Sequence, residues 1–113
     1  MLPRNSRITK QADWHHIHRH GTVTQSKDIV LKKVRNQFKR PRFGIIVGAK
    51  VSKQATERNL IKRRIRAIIA KYSAKVKAGY DIIFITRPSI KNKKYIELEE
   101  QINQLLTRAK LYI

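Results

Sequence analysis

The chain has 113 residues, enough for one domain with a radius of about 13 Å and one modest core. Its 27 Lys and Arg against 7 Asp and Glu leave a net charge of +20, which weakens the compact state by self-repulsion and attracts polyanions. The absence of cysteine excludes a disulfide scaffold, a thiol nucleophile and a Cys-based zinc site, and no apolar run approaches the ~20 residues that span a bilayer.

No signal-peptide core follows Met1, so a cytoplasmic protein working on nucleic acid, away from any membrane, is expected. No repeat, low-complexity tract or linker divides residues 1–113, which read as a single domain. The basic residues run from Arg4 to Lys110, whereas Glu97, Glu99 and Glu100 crowd one late segment.

In chain order, Thr9 to His20 predicts a short helix, with Thr9 as N-cap and Gly21 as stop. Trp14, Ile17 and His18 share one of its faces. "DIVLKKV" (Asp28 to Val34) and "RFGIIVGAK" (Arg42 to Lys50) concentrate β-branched residues and predict strands, with the basic "RNQFKRP" as the loop between them. Next comes "ERNLIKRRIRAIIAKY", Glu57 to Tyr72, with six basic side chains and one acid. Ile61, Ile65, Ile68, Ile69, Tyr72 and Val76 form one helical stripe. Asn59, Lys62, Arg63 and Arg66 fall on the adjoining arc, Arg58 at its N-terminal end, and Arg64 and Lys71 on the opposite flank. "YDIIFIT" (Tyr80 to Thr86) is apolar on successive positions, which predicts a strand covered on both faces and ended by Pro88. Tyr95, Leu98, Ile102, Leu105 and Ala109 then recur at helical spacing within a final amphipathic helix from about Asn92 to Lys110. Helix, strands, helix, strand, helix argues for an α+β sandwich of one sheet with helices packed on it.

The basic arc is the main candidate site. Guanidinium forks bind phosphate oxygens bidentately, ammonium groups act as point charges, and Asn59 adds an amide for a base edge or a 2′-hydroxyl. A merely solvated helix face would interleave acids at i, i+4, and Arg58 to Lys71 contains none. In "DWHHIHRHG" (Asp13 to Gly21), His16 and His20 have metal-ligand spacing, but no Cys and no second His cluster completes a site. Trp14 and His18 offer stacking surfaces for unpaired bases; the alternative is that Trp14 is core. The few, scattered acids argue against a two-metal nuclease, and neither a catalytic triad nor a phosphate-cradling glycine loop is present.

"RNLIKRRIR" (Arg58 to Arg66) closely resembles the RNR motif of the bacterial ribonuclease P protein subunit. The similarity extends to "LPRNSRITKQADWHHIHRHGT", to "GIIVGAKVSKQATERN" and to "AGYDIIFITRPS", and so covers nearly the whole chain. The resemblance implies an α+β fold, a two-layer α/β sandwich of order αβββαβα with a left-handed βαβ crossover. It implies an accessory subunit whose RNA partner carries the active site and holds most of the Mg2+, acting together to remove the 5′ leader of precursor tRNA, with the protein as a monomer. Carried over, Arg58, Asn59, Lys62, Arg63 and Arg66 face the catalytic RNA, while Trp14, His18, Lys32 and Lys50 face the leader; no residue of this chain is catalytic. His18 stands where the family usually has Phe, and Lys32 where an aromatic is common, which shifts the expected grip from stacking toward phosphate contact. After Arg66 the chain reads "AIIAKY", where the family often has Glu and an aromatic. A ribosomal-type RNA-binding protein, a protein-only nuclease and a DNA-binding module are the alternatives left open.

Overall fold

The computed structural model describes residues 3–113. Helix α1 (Gln11–His20) is followed by strands β1 (Thr22–Gln25), β2 (Ile29–Arg35) and β3 (Arg42–Ile46), helix α2 (Ala55–Tyr72), strand β4 (Tyr80–Thr86) and helix α3 (Tyr95–Arg108). The strands form one sheet in the order β1-β2-β4-β3. The β1–β2 and β2–β4 pairs are antiparallel and the β3–β4 pair is parallel, with α2 making the crossover that a parallel pair requires.

Alternation along the strands gives the sheet two different faces. On one, Ile29, Leu31, Phe43, Ile82 and Phe84 meet Ile61, Ile65, Ile68 and Ile69 of α2 and Leu98, Ile102, Leu105 and Leu106 of α3, and all are buried. On the other, Ile83 packs with Ile17 of α1 and Ile8, flanked by Trp14, Val34 and Ile85. Strand β4 is thus covered on both sides, as its unbroken apolar run predicts: Ile82, Ile83 and Phe84 are all fully buried. An ion pair locks α1 to the sheet. Arg42 donates from Nε and Nη2 to the two carboxylate oxygens of Asp81, at 2.8 and 2.6 Å, and from Nη2 to Asp13 at 3.2 Å. These bonds to Asp81 raise the pKa of the Arg42 guanidinium against the opposing effect of burial.

Several boundaries differ from the sequence expectation. α1 starts at Gln11, with Lys10 at the N-cap and no capping side chain, so Thr9 is not the cap; the Gly21 N–H does close the helix on the Ile17 carbonyl at 2.8 Å. β3 ends at Ile46 and not at Lys50, because a turn in which Val51 N–H reaches the Gly48 carbonyl (3.0 Å) redirects the chain while Val47 and Val51 stay in the core. α2 stops at Tyr72, where the Ser73 hydroxyl donates to the Ala70 carbonyl (3.1 Å), and Val76 reaches the same core from beyond the helix. Asn92 and Lys110 have φ of 69° and 58°, a left-handed conformation no α-helix can contain, so α3 is shorter at both ends than expected. The Glu97 carboxylate accepts the Lys94 N–H at 3.2 Å and fixes its start.

Candidate nucleic-acid interface

Burying the isoleucine stripe of α2 against the sheet decides which of its other side chains meet solvent. Asn59, Arg63 and Arg66 are exposed, and Lys62 is half-buried toward the sheet edge. Arg58, also half-buried, donates from Nη1 to the Ser52 carbonyl at 2.9 Å, so part of its guanidinium braces the turn that enters the helix.

The acids lie elsewhere. Asp13 and Asp81 are taken by Arg42, Glu57 pairs with Lys91 at 3.6 Å, and Glu99 with Lys71 at 2.8 Å. Bonds from Lys71 and Tyr72 hold the Glu99 carboxyl below its ordinary pKa. Asp28 is fully buried between the β1–β2 turn and α3, where burial opposes its ionisation. The hydrogen bond from Gln101 Nε2 (2.6 Å) and the polar surroundings of Ser89, Lys93 and Lys27 outweigh that cost and leave its pKa lowered. Among the described residues, Lys62, Arg63 and Arg66 have no acidic partner within ion-pair distance. Their field is therefore unspent.

Beside this arc lies a hollow at the β3 edge, lined by Thr9, Gln11, Trp14, His15, His18, Lys62 and residues 45–47. Gly44 makes it possible. A Cβ at that position would stand 2.3 Å from Cη2 of Trp14, so only glycine lets the indole lie against the strand. Trp14 is half-buried against the Ile8–Ile17–Ile83 cluster, and its remaining surface helps line the hollow. The ring therefore has a packed part, as the core reading expects, and an open part that faces the hollow. His18 is exposed on the same rim.

The structure brings Trp14, His18 and Lys62 together. It does not bring in Lys32 or Lys50. Lys32 lies half-buried on β2, opposite Val23 and Ile83 in register, with its Cβ close to Gly21. Lys50 sits exposed in the turn before α2. Lys62, grouped by sequence with the helix arc, thus also walls the hollow; its position on the arc nearest the isoleucine stripe was the available signal. Thr9, Gln11 and His15 carried no signal of their own. His16 and His20 bring their ring centroids to 4.9 Å, but among the described residues no cluster of three or more His, Asp or Glu could hold a metal ion. Among the described residues, no helix is long and apolar enough to cross a membrane.

A continuous cationic helix face beside an aromatic hollow, on a one-sheet α+β frame, defines a small protein built to meet a polyanion. The ribonuclease P family model matches residues 2–110. A ribonuclease P protein component from a Synechocystis strain is 31% identical over 96% of this chain and 88% of its own length, and one from Clostridium botulinum is 32% identical over 96% and 98%. The Staphylococcus aureus RNase P protein, solved as a mutant with defective mRNA degradation activity, superposes with a TM-score of 0.90 at 28% identity, covering 96% of this chain and 92% of that one. The chain belongs to the ribonuclease P protein family. Membership ties it to tRNA 5′ processing within the ribonuclease P holoenzyme, which implies an RNA partner.

Proposed function

We propose that this protein is the accessory subunit of a ribozyme, docking on the catalytic RNA of ribonuclease P through α2 and holding the 5′ leader of precursor tRNA at the β3 edge. The observation that carries the reading is the acid-free arc of Asn59, Lys62, Arg63 and Arg66 running into the hollow that holds Trp14 and His18. Arg63 and Arg66 contact phosphates of the catalytic RNA, Asn59 reads a base edge or 2′-hydroxyl, and Arg58 stiffens the entry turn while keeping donors free for RNA. Trp14 stacks on a leader base and His18 lies beside it; Lys32 and Lys50 contribute charge along the approach. Lys62 stands where the two RNAs meet.

The hydrolytic chemistry belongs to the RNA, which holds most of the Mg2+. The protein's contribution is to neutralise phosphates where leader and ribozyme converge, raising substrate affinity and lowering the Mg2+ the RNA needs. It acts in the cytoplasm, as a monomer within the holoenzyme. The ribosomal-type reading shares the charge but predicts no effect on precursor tRNA.

Binding of a bacterial ribonuclease P RNA to wild type and to the Arg63→Ala/Arg66→Ala double variant, across a salt series, tests the docking surface. Log K falls linearly with log salt in the wild type, at roughly −0.7 to −0.9 per neutralised phosphate, and the slope flattens by one to two such steps in the variant. An unchanged slope contradicts the assignment of these two arginines.

A further inference from the structure

At the far end of α1 from His18, the β2–β3 loop carries an exposed aromatic ring, Phe38. Phe38 is 48% exposed, unusual for a side chain of its type. It is not loose. Asn36 Oδ1 accepts the Phe38 N–H at 3.0 Å, and Asn36 Nδ2 donates to Asp81 at 2.7 Å, so the loop is tied to the ion pair under α1. The Arg42 guanidinium, fixed by Asp81 and Asp13, lies 4.3 Å from the ring centroid. One part of the ring is thus backed by an immobile cation while nearly half the side chain stays open.

Around it, Arg7, Lys10 and Arg40 line one hollow with Phe38 and Arg42. Arg42 has spent its charge on two carboxylates. Arg7, Lys10 and Arg40 have no acid within ion-pair distance among the described residues, and Arg7 Nε is shut off from solvent without a hydrogen-bond partner. The Ile8 N–H, bonded to the Phe43 carbonyl at 2.9 Å, fixes the strand-like segment that carries Arg7 along β3. Thr9 lines both this hollow and the one containing Trp14, so the two adjoin around the N-terminus of α1.

We propose that Phe38, with Arg7, Lys10 and Arg40, forms a second subsite for one nucleotide of single-stranded RNA. The base stacks on Phe38, and the cations hold the flanking phosphates. A fixed ring costs little ordering entropy on binding, and a stacking face accepts any base. The subsite extends the Trp14 hollow into a longer track, and in that respect rests on the leader-binding reading above.

The test uses holoenzyme assembled from the full chain and a bacterial ribonuclease P RNA, with precursor tRNAs carrying leaders of ~4 and ~12 nucleotides, lengths that bracket a single-strand track. Phe38→Ala weakens binding of the long-leader substrate about tenfold and leaves the short one within about twofold, Phe38→Trp restores the long-leader affinity, and Trp14→Ala weakens both. Arg40→Gln also weakens the long leader only and flattens its salt dependence. Equal losses for both leaders, or no loss with Phe38→Ala, overturn the subsite. If Trp14→Ala changes neither substrate, the leader reading itself fails. The subsite is then judged on a ~12-nucleotide oligoadenylate bound to protein alone, where a tenfold loss with Phe38→Ala upholds it and an unchanged affinity overturns it.

Discussion

The two flanks of α2 carry similar side chains and do different work. On the flank toward α3, two ion pairs form, Lys71 with Glu99 at 2.8 Å and Glu57 in the first turn with Lys91 at 3.6 Å, although Arg64 on the same flank has no acid within ion-pair distance among the described residues. On the flank toward the β3 edge, Lys62, Arg63 and Arg66 meet no acid among the described residues. The same contrast holds elsewhere, since Asp13, Asp28 and Asp81 are all turned into the fold. In a chain of net charge +20, the informative quantity is where the seven acids go. Five of them, Asp13, Asp28, Glu57, Asp81 and Glu99, join one element to another, and among the described residues they leave Lys62, Arg63 and Arg66 without an acid.

The sharpest way to separate fold from binding on α2 is to cut the stripe between the flanks. Ile65 is fully buried, so Ile65→Ala lowers unfolding free energy by about 2–5 kcal/mol, measured by urea denaturation. Gly44→Ala comes next: the added methyl collides with the indole, costs about 1–3 kcal/mol and shifts Trp14 fluorescence. Arg63→Ala/Arg66→Ala inverts the pattern, with stability within about 0.5 kcal/mol per site and a clear loss of RNA affinity. A collapse of melting in that variant would erase the distinction between stripe and arc.

Acid titration probes the matched charges, with the smallest effect. The folded-state pKa values of Asp28 and Glu99 lie below their ordinary values, so both carboxylates stabilise the fold above the unfolded pKa of about 4. That contribution is constant toward neutrality and is lost as pH falls from about 4 through the lowered folded values. Glu99→Gln removes its own share of this acid dependence in urea titrations, while leaving RNA affinity at neutral pH unchanged.

Much of this architecture is legible in the residues, because burial imposes a period. The isoleucine stripe announces α2, its facing and its basic arc, and the unbroken run Tyr80 to Thr86 announces a strand covered twice. β1 is different. "TVTQ" is mostly exposed, shows no alternation, and exists because β2 offers it an edge. The end of β3 was hidden because Val47 and Val51 remain apolar through the turn, so composition did not change where direction did. The contacts that build the site join residues far apart in the chain: Trp14 needs Gly44, and Asp13 and Asp81 become a pair only around Arg42. No local pattern encodes such a meeting. Lys62 shows the same limit, since its place on the helix wheel was readable and its position beside Trp14 depended on how α1 and α2 flank β3.

The central claim is that this protein assists an RNA catalyst and performs no hydrolysis itself. Single-turnover cleavage of a precursor tRNA at low Mg2+ tests it, with a bacterial ribonuclease P RNA alone, the protein alone, and the two combined. The account predicts efficient cleavage at the mature 5′ end only in the combination. Cleavage by the protein alone, or no stimulation of the RNA by the protein, would contradict it.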